Sequence, residues 1–311
     1  MDDITFASGG ASCAAWHLPG AGDTFAGERG RPCVVMAHGF GGTRDSALLP
    51  YAEGFAAAGL DVLLFDYRGF GASPGTPRQL VSYRRQRADY HAALGAARRL
   101  PGVDPDRIVL WGTSYSGGHV LAVAAADRHI AAVVSMTPAT DGLAVLLAML
   151  RHEGPARLGR LVAAGLRDLS RATTGRPPHY VAVVGPAGSD AIIANDTGAQ
   201  AYPAMAGPTW RNEVCARSAL GVGLNRPVRF ASRLQCPLLV QVGQRDSVAP
   251  PAAAERAARR AGTVAEMRHY PLDHFDVYAG RWQQQALADQ VQFLRQHLAG
   301  RMSFDSEKVG E

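Results

Sequence analysis

Lysine is almost missing from this chain: Lys308 is the only one among 32 basic residues, the rest being arginine. Those arginines are scattered through helical segments and form no basic block. The formal charge of +5 therefore does not describe a nucleic-acid surface. Long apolar runs are missing too; the longest, around Leu143–Leu150, is half a membrane span at most, so no spanning helix is expected. The N-terminal MDDITFASGG has no basic segment followed by an apolar core, and is not expected to be a signal peptide. The four cysteines, Cys13, Cys33, Cys215 and Cys236, lie far apart without a C-x-x-C pair. They are expected to be reduced, buried thiols of a cytoplasmic protein. The histidines have no H-E-x-x-H or similar spacing, and there is neither a phosphate loop nor a G-x-G-x-x-G turn. No metal and no cofactor are expected.

What is present is the composition of a globular enzyme, 47% hydrophobic and 19% charged over 311 residues. That length suits one large domain, or a core domain carrying an insertion. Ile4–Ala7 and Ser12–Leu18 read as an edge hairpin. CVVMAH (33–38), DVLLFD (61–66), RIVLWG (107–112), AAVVSM (131–136), PLLVQVG (237–243) and VAEMRHY (264–270) read as strands. Most are continuously apolar, as strands covered on both faces must be. Helical periodicity marks Ser46–Ala58, Leu80–Leu100, Gly118–Ala126 and 282–298. The alternation is that of parallel strands joined by crossover helices. It fails from about Pro138 to Leu234, a stretch too long for a structureless loop. The expected organisation is therefore a core of 1–138 and 234–299, a largely helical insertion at 139–233, and a flexible polar tail at 300–311.

In open α/β sheets, chemistry collects beyond the carboxyl ends of the strands. After RIVLWG comes a sharp turn into a helix, TSYSGG, with Ser114 at its apex. Such a turn exposes the serine hydroxyl and requires small residues two before and two after it, which Gly112 and Ser116 are. Taking Ser116 as the nucleophile would push it off the apex and into the helix. After CVVMAH comes the glycine-rich turn Gly39-Phe40-Gly41-Gly42. The backbone N–H of Phe40, with that of Tyr115, is the candidate oxyanion hole. Asp246 follows PLLVQVG and His274 follows VAEMRHY, each just past a strand end. An N-cap is the other reading of Asp246. The order Ser114, Asp246, His274 is that of a Ser–His–Asp triad on an α/β-hydrolase sheet.

On these residues the chain resembles the α/β-hydrolase superfamily, over almost its whole length outside the tail. FDYRGFGAS (65–73) is similar to that superfamily's turn after the fourth strand, in which Asp66 and Arg68 would brace loops. ASGGASCAAWHLPG is similar to the opening hairpin of the serine-aminopeptidase and dienelactone-hydrolase-like branches. The chain departs from the family's G-x-S-x-G motif at Ser116. The resemblance implies a mostly parallel eight-stranded sheet flanked by helices, with 139–233 as a lid inserted after strand 6. Some members carry the acid after strand 6, where Asp141 stands, so Asp141 competes with Asp246; Asp273 and Asp276 flank the histidine but are poor candidates. His119 reads as a packed structural histidine, Cys236 as core, and Arg84, Arg85 and Arg87 as a solvated face.

A serine nucleophile argues against the carboxylate chemistry of dehalogenases and epoxide hydrolases. It implies esters, thioesters or lactones, and the apolar segment DGLAVLLAMLRH suggests a hydrophobic acyl group as the small-molecule partner. Water as acceptor gives a hydrolase. An alcohol or amine gives an acyltransferase, and polyketide acyltransferases belong among the chains resembled. A non-catalytic ligand-binding protein and a cofactor-free oxygenase or lyase on the same fold are further readings. A homodimer is the default expectation for quaternary structure.

Overall fold

The computed structural model describes residues 1–298. Strands β1 (Asp2–Ser8) and β2 (Ala11–Leu18) form the expected antiparallel hairpin. Next come β3 (Arg31–Ala37), α1 (Leu49–Ala57), β4 (Asp61–Phe65), α2 (Tyr83–Ala97), β5 (Val103–Thr113), α3 (Tyr115–Ala124) and β6 (Ile130–Met136). After the insertion the core resumes with strands Leu238–Gly243 and Ala265–Tyr270, separated by the helix Pro251–Ala261, and closes on the helix Gly280–Leu298. The eight strands form one sheet in the order β1-β2-β4-β3-β5-β6-(238–243)-(265–270). β2 meets β4 antiparallel, and every pairing from β4 onward is parallel. This is the α/β-hydrolase fold.

Burial explains the register. All five residues of β4 and all six of Leu238–Gly243 are buried, whereas Ala265–Tyr270 at the sheet edge buries only Tyr270. Phe65, fully buried, meets Phe6, Tyr67 and Tyr90 edge-on at ring distances of 5.2–5.5 Å. On the other side, Trp111 donates its indole N–H to Gln290 Oε1 at 3.0 Å, which ties the sheet centre to the closing helix. α3 begins at Tyr115, three residues earlier than its periodicity indicates, because its first turn is glycine and serine and has no apolar repeat to read.

Between β6 and Leu238 no residue joins the main sheet. The interval opens with α4 (Gly142–Thr173), which runs two apolar segments together, GLAVLLAML (142–150) and ARLGRLVAAGL (156–166). They are broken apart at Gly154, which takes φ 81° and ψ 167° before Pro155. Proline disfavours a helical residue before it, so the chain turns there. Two-residue strands β7 (Tyr180–Val181), β8 (Val184–Gly185) and β9 (Ile193–Ala194) come next. Then come α5 (Asp196–Met205), β10 (Val214–Cys215) and α6 (Ser218–Val222). In continuing order the core elements above are β11 (Leu238–Gly243), α7 (Pro251–Ala261), β12 (Ala265–Tyr270) and α8 (Gly280–Leu298). The tail expected at 300–311 lies outside the described residues. Among the described residues no helix is long and apolar enough to cross a membrane.

Two measurements test this packing. Phe65→Ala should cost about 3–5 kcal/mol of unfolding free energy in a denaturant titration, the range for emptying an aromatic site in a core. A loss below about 1 kcal/mol would mean the site is not packed as described. All four cysteines are free and buried. Burial pushes the thiols of Cys13 and Cys215 up to about 12 and that of Cys236 up to about 11, and raises that of Cys33 as well. All four should ignore an aromatic disulfide reagent in the native protein and react together on unfolding; one fast native thiol would contradict this.

Candidate active site

Ser114 sits between β5 and α3 with φ 54° and ψ −117°, a region that side-chain-bearing residues rarely occupy. Its own amide donates to Met136 O at 2.9 Å, and its carbonyl accepts from Ala139 N at 2.8 Å, so the turn is locked to the end of β6. The tightness dictates the neighbours: a Cβ on Gly112 would stand 2.3 Å from Ser116 O, and one on Gly39 would stand 3.0 Å from Ser114 Cβ.

The structure brings the three candidate side chains together. His274 Nε2 lies 3.0 Å from Ser114 Oγ, and His274 Nδ1 lies 2.7 Å from Asp246 Oδ2. The His274 and Asp246 side chains are each only 2% exposed, so their pairing is shielded from water. The second carboxylate oxygen of Asp246 accepts from Val248 N at 2.9 Å and Ala249 N at 2.6 Å. Asp246 thus braces the turn before α7 with one oxygen and holds the imidazole with the other; it is not the N-cap of α7, a position taken by Pro250. Asp141 is elsewhere: it caps the start of α4 and pairs with Arg226 at 2.8 and 3.0 Å. Burial opposes its ionisation, yet the Arg226 pair holds its carboxyl below the usual range. Asp273 receives Ser247 N and the amide of His274, and Asp276 receives Asp273 N. Both shape the histidine loop, and neither reaches the ring.

The turn after β3 is held by its carbonyls. His38 O accepts from the Ser116 hydroxyl, which the Tyr67 hydroxyl joins at 2.5 Å. Gly39 O accepts from His38 Nδ1 at 3.0 Å and Gly42 N at 3.4 Å. Phe40 O accepts from Tyr202 Oη at 2.9 Å, and Gly41 O from Trp210 Nε1 at 3.0 Å. Four consecutive carbonyls are thereby engaged, while the N–H groups of Phe40 and Tyr115 donate to no backbone acceptor outside regular helices and strands among the described residues. Sequence reasoning missed Tyr202 and Trp210, which stack at 5.2 Å inside the insertion, in a segment with no periodic signal. In the sequence Ser116 is only a tolerated departure from the motif, whereas in the structure its hydroxyl bridges the serine turn to β3.

His119 is fully buried against Gln86, and Cys236 is in the core, as expected. Asp66 and Arg68 brace loops, through Arg44 N and Asp89 respectively. The arginine cluster needs correcting. Arg84 is exposed, but Arg87 reaches Asn225 Oδ1 and packs 5.1 and 5.4 Å from the rings of Tyr83 and Phe230. Burial lowers the pKa of its guanidinium, since α2 turns that side toward the insertion. Among the described residues no group of three His, Cys, Asp or Glu side chains could hold a metal ion.

Beside Ser114 opens a cavity of about 720 Å³, walled by Val145, Leu146, Met149, Leu158, Leu161 and Ile192 and reaching Phe40 and Tyr115. Apart from Phe40 and Tyr115, these wall residues belong to the insertion.

Fold and site together define an α/β hydrolase. A family model for serine aminopeptidase, S33, matches residues 28–272, and the chain belongs to that family. It is 38% identical over 296 residues to the quorum-quenching protein AidA of Acinetobacter baumannii, covering 94% of each chain. It is 28% identical over 310 residues to the polyketide transferase af380 of Aspergillus fumigatus, covering 96% of this chain and 98% of that one. The crystal structure of the α/β hydrolase GrgF from Penicillium sp. superposes with a TM-score of 0.80 at 24% identity, covering 96% of this chain and 99% of that one.

His38 makes the acid limb of stability testable. Burial pushes its pKa down to about 4, so the folded protein resists a proton that the unfolded chain accepts near 6.5. Its contribution is present above the unfolded value and is lost as pH falls toward the folded one, by about 1–3 kcal/mol. The unfolding free energy should therefore drop between pH 6.5 and 4. His38→Gln should flatten that drop; an unchanged slope would contradict the assignment.

Proposed function

We propose that this protein is a serine hydrolase that cleaves an ester, thioester or lactone of a hydrophobic acyl group through an acyl-enzyme at Ser114. The observation that carries the proposal is the continuous hydrogen-bonded line Ser114 Oγ, His274, Asp246, at 3.0 and 2.7 Å, with Ser114 lining a largely apolar cavity. As Ser114 Oγ attacks the carbonyl carbon, its proton passes to His274 Nε2. Asp246 accepts the Nδ1–H throughout, fixing the tautomer and stabilising the imidazolium. The oxyanion takes the N–H groups of Phe40 and Tyr115. His274 then protonates the leaving group, and a water activated by the same imidazole releases the acid.

A cavity of about 720 Å³ is within the range that encloses a drug-sized or long acyl ligand. Val145, Leu146 and Met149 supply van der Waals contact for the acyl chain, and the lining also includes His152, Glu153, Arg157 and Arg160. Support also comes from relatives named for acyl chemistry, among them the thiohydrolase aneE of Aspergillus aculeatus, 40% identical over 117 residues, or 38% of this chain and 37% of that one. The name polyketide transferase on another relative keeps acyl transfer to an alcohol or amine as the second reading. The triad would serve both, and the acceptor decides.

Purified protein assayed on p-nitrophenyl esters of increasing acyl length should turn over many times with water as sole acceptor. Ser114→Ala should lose about 10⁴-fold in kcat or more. Release equal in the two proteins would sink the serine mechanism, and a single stoichiometric burst relieved by added alcohols would transfer the assignment to an acyltransferase. Leu146→Trp should lower kcat/KM for the longest acyl chains by about tenfold while leaving acetate esters within about twofold, as expected for filling an acyl pocket. A uniform loss across chain lengths would move the acyl site away from this wall.

A further inference from the structure

The large aliphatic side chains left exposed are concentrated in one place. Among the described residues, apart from Met1, all of them lie in the insertion: Leu143, Leu147, Leu150, Val162, Leu166 and Leu169 on α4, and Leu224 just after α6. The six on α4 are each 40–54% exposed. They form two stripes, 143/147/150 before the Gly154 break and 162/166/169 after it, each stepping four residues and then three.

The first arm is unusual because its opposite side is also apolar. Gly142 to Leu150 contains no polar side chain, and Val145, Leu146 and Met149 of the same arm face the cavity. A helix that is hydrophobic all round belongs in an interior, so this one calls for cover on its second side as well. Arg151 and Arg167, both exposed, flank the stripes without interrupting them, as at the polar rim of an interface.

We propose that this face of α4 is the interface with a second copy of the same chain. Two features select that occupant. The four-then-three spacing on both arms is the seam spacing that fits side chains of another helix between its own, and a twofold pairing sets like against like. Six half-exposed aliphatic side chains also present roughly 500 Å² per copy, about 1,000 Å² over the pair, the size that a biological interface has to clear. Val162 is exposed and also lines the cavity, so the interface reaches the mouth of the candidate active site.

The test is sedimentation velocity from about 1 to 100 µM, with the doubly substituted Leu147→Asp/Leu166→Asp chain run beside the wild type. The wild type should sediment as a dimer at about 10 µM, and the variant as a monomer with the same thermal melt, its association at least about 30-fold weaker, as befits charges placed in an interface core. Should the aspartates prevent folding, Leu147→Cys and Leu166→Cys decide. The native cysteines are buried, so a short bis-maleimide should couple two copies through the new thiols but not through a control thiol at Glu53→Cys, exposed on α1. A wild type that stays monomeric throughout, whether or not it binds phosphatidylglycerol vesicles, would overturn the proposal. So would a dimer that survives both aspartates, or thiols on α4 that couple no better than the control.

Discussion

The turn after β3 can present its amides only because its carbonyls are spoken for. His38, Gly39, Phe40 and Gly41 each have an oxygen engaged, and the donors come from three parts of the molecule. Ser116 belongs to the helix behind the Ser114 turn, His38 to the end of the strand, and Tyr202 and Trp210 to the insertion. A peptide whose oxygen is fixed has its N–H fixed on the opposite side. The peptide that carries the Phe40 N–H has its oxygen on Gly39, held by His38 and Gly42, while the insertion holds the next two peptides through the oxygens of Phe40 and Gly41. Serine in the second glycine position of the motif is consistent with this arrangement. It adds only a hydroxymethyl group, and that group is used as a donor.

The insertion accordingly has two relations to the core. Through Tyr202 and Trp210 it grips the turn next to Ser114, and through α4 it walls a cavity with aliphatic side chains. The helix that supplies the wall has a second apolar side turned outward. A single element thus links a cavity beside Ser114 to the surface where another copy is proposed to pack.

Much of this is legible in the residues. Strands buried on both faces announce themselves as apolar runs, and the parallel sheet is implied by strand–helix alternation. The three side chains of the candidate triad stand out because each lies just past the carboxyl end of a strand, and the structure brings Ser114, His274 and Asp246 within hydrogen-bonding distance. The choice of Asp246 over Asp141 is legible only as a preference, because both stand at strand ends; their partners, His274 and Arg226, separate them in three dimensions. The insertion is legible as an interruption and as largely helical. Its grip on the β3 turn is not, since Tyr202 and Trp210 act through single side-chain donors to backbone carbonyls, which leave no periodicity. Arg87 misleads for a related reason: a charged residue among arginines reads as surface until another segment is folded over it.

The proposed chemistry requires Ser114 to carry the acyl group. Rapid mixing with a slowly released ester, acid quench and intact-mass spectrometry would read this directly. One acyl increment per chain is predicted, mapped by peptide fragmentation to Ser114 and absent from the Ser114→Ala variant. An increment on another residue, or turnover with no increment in the wild type, would contradict it.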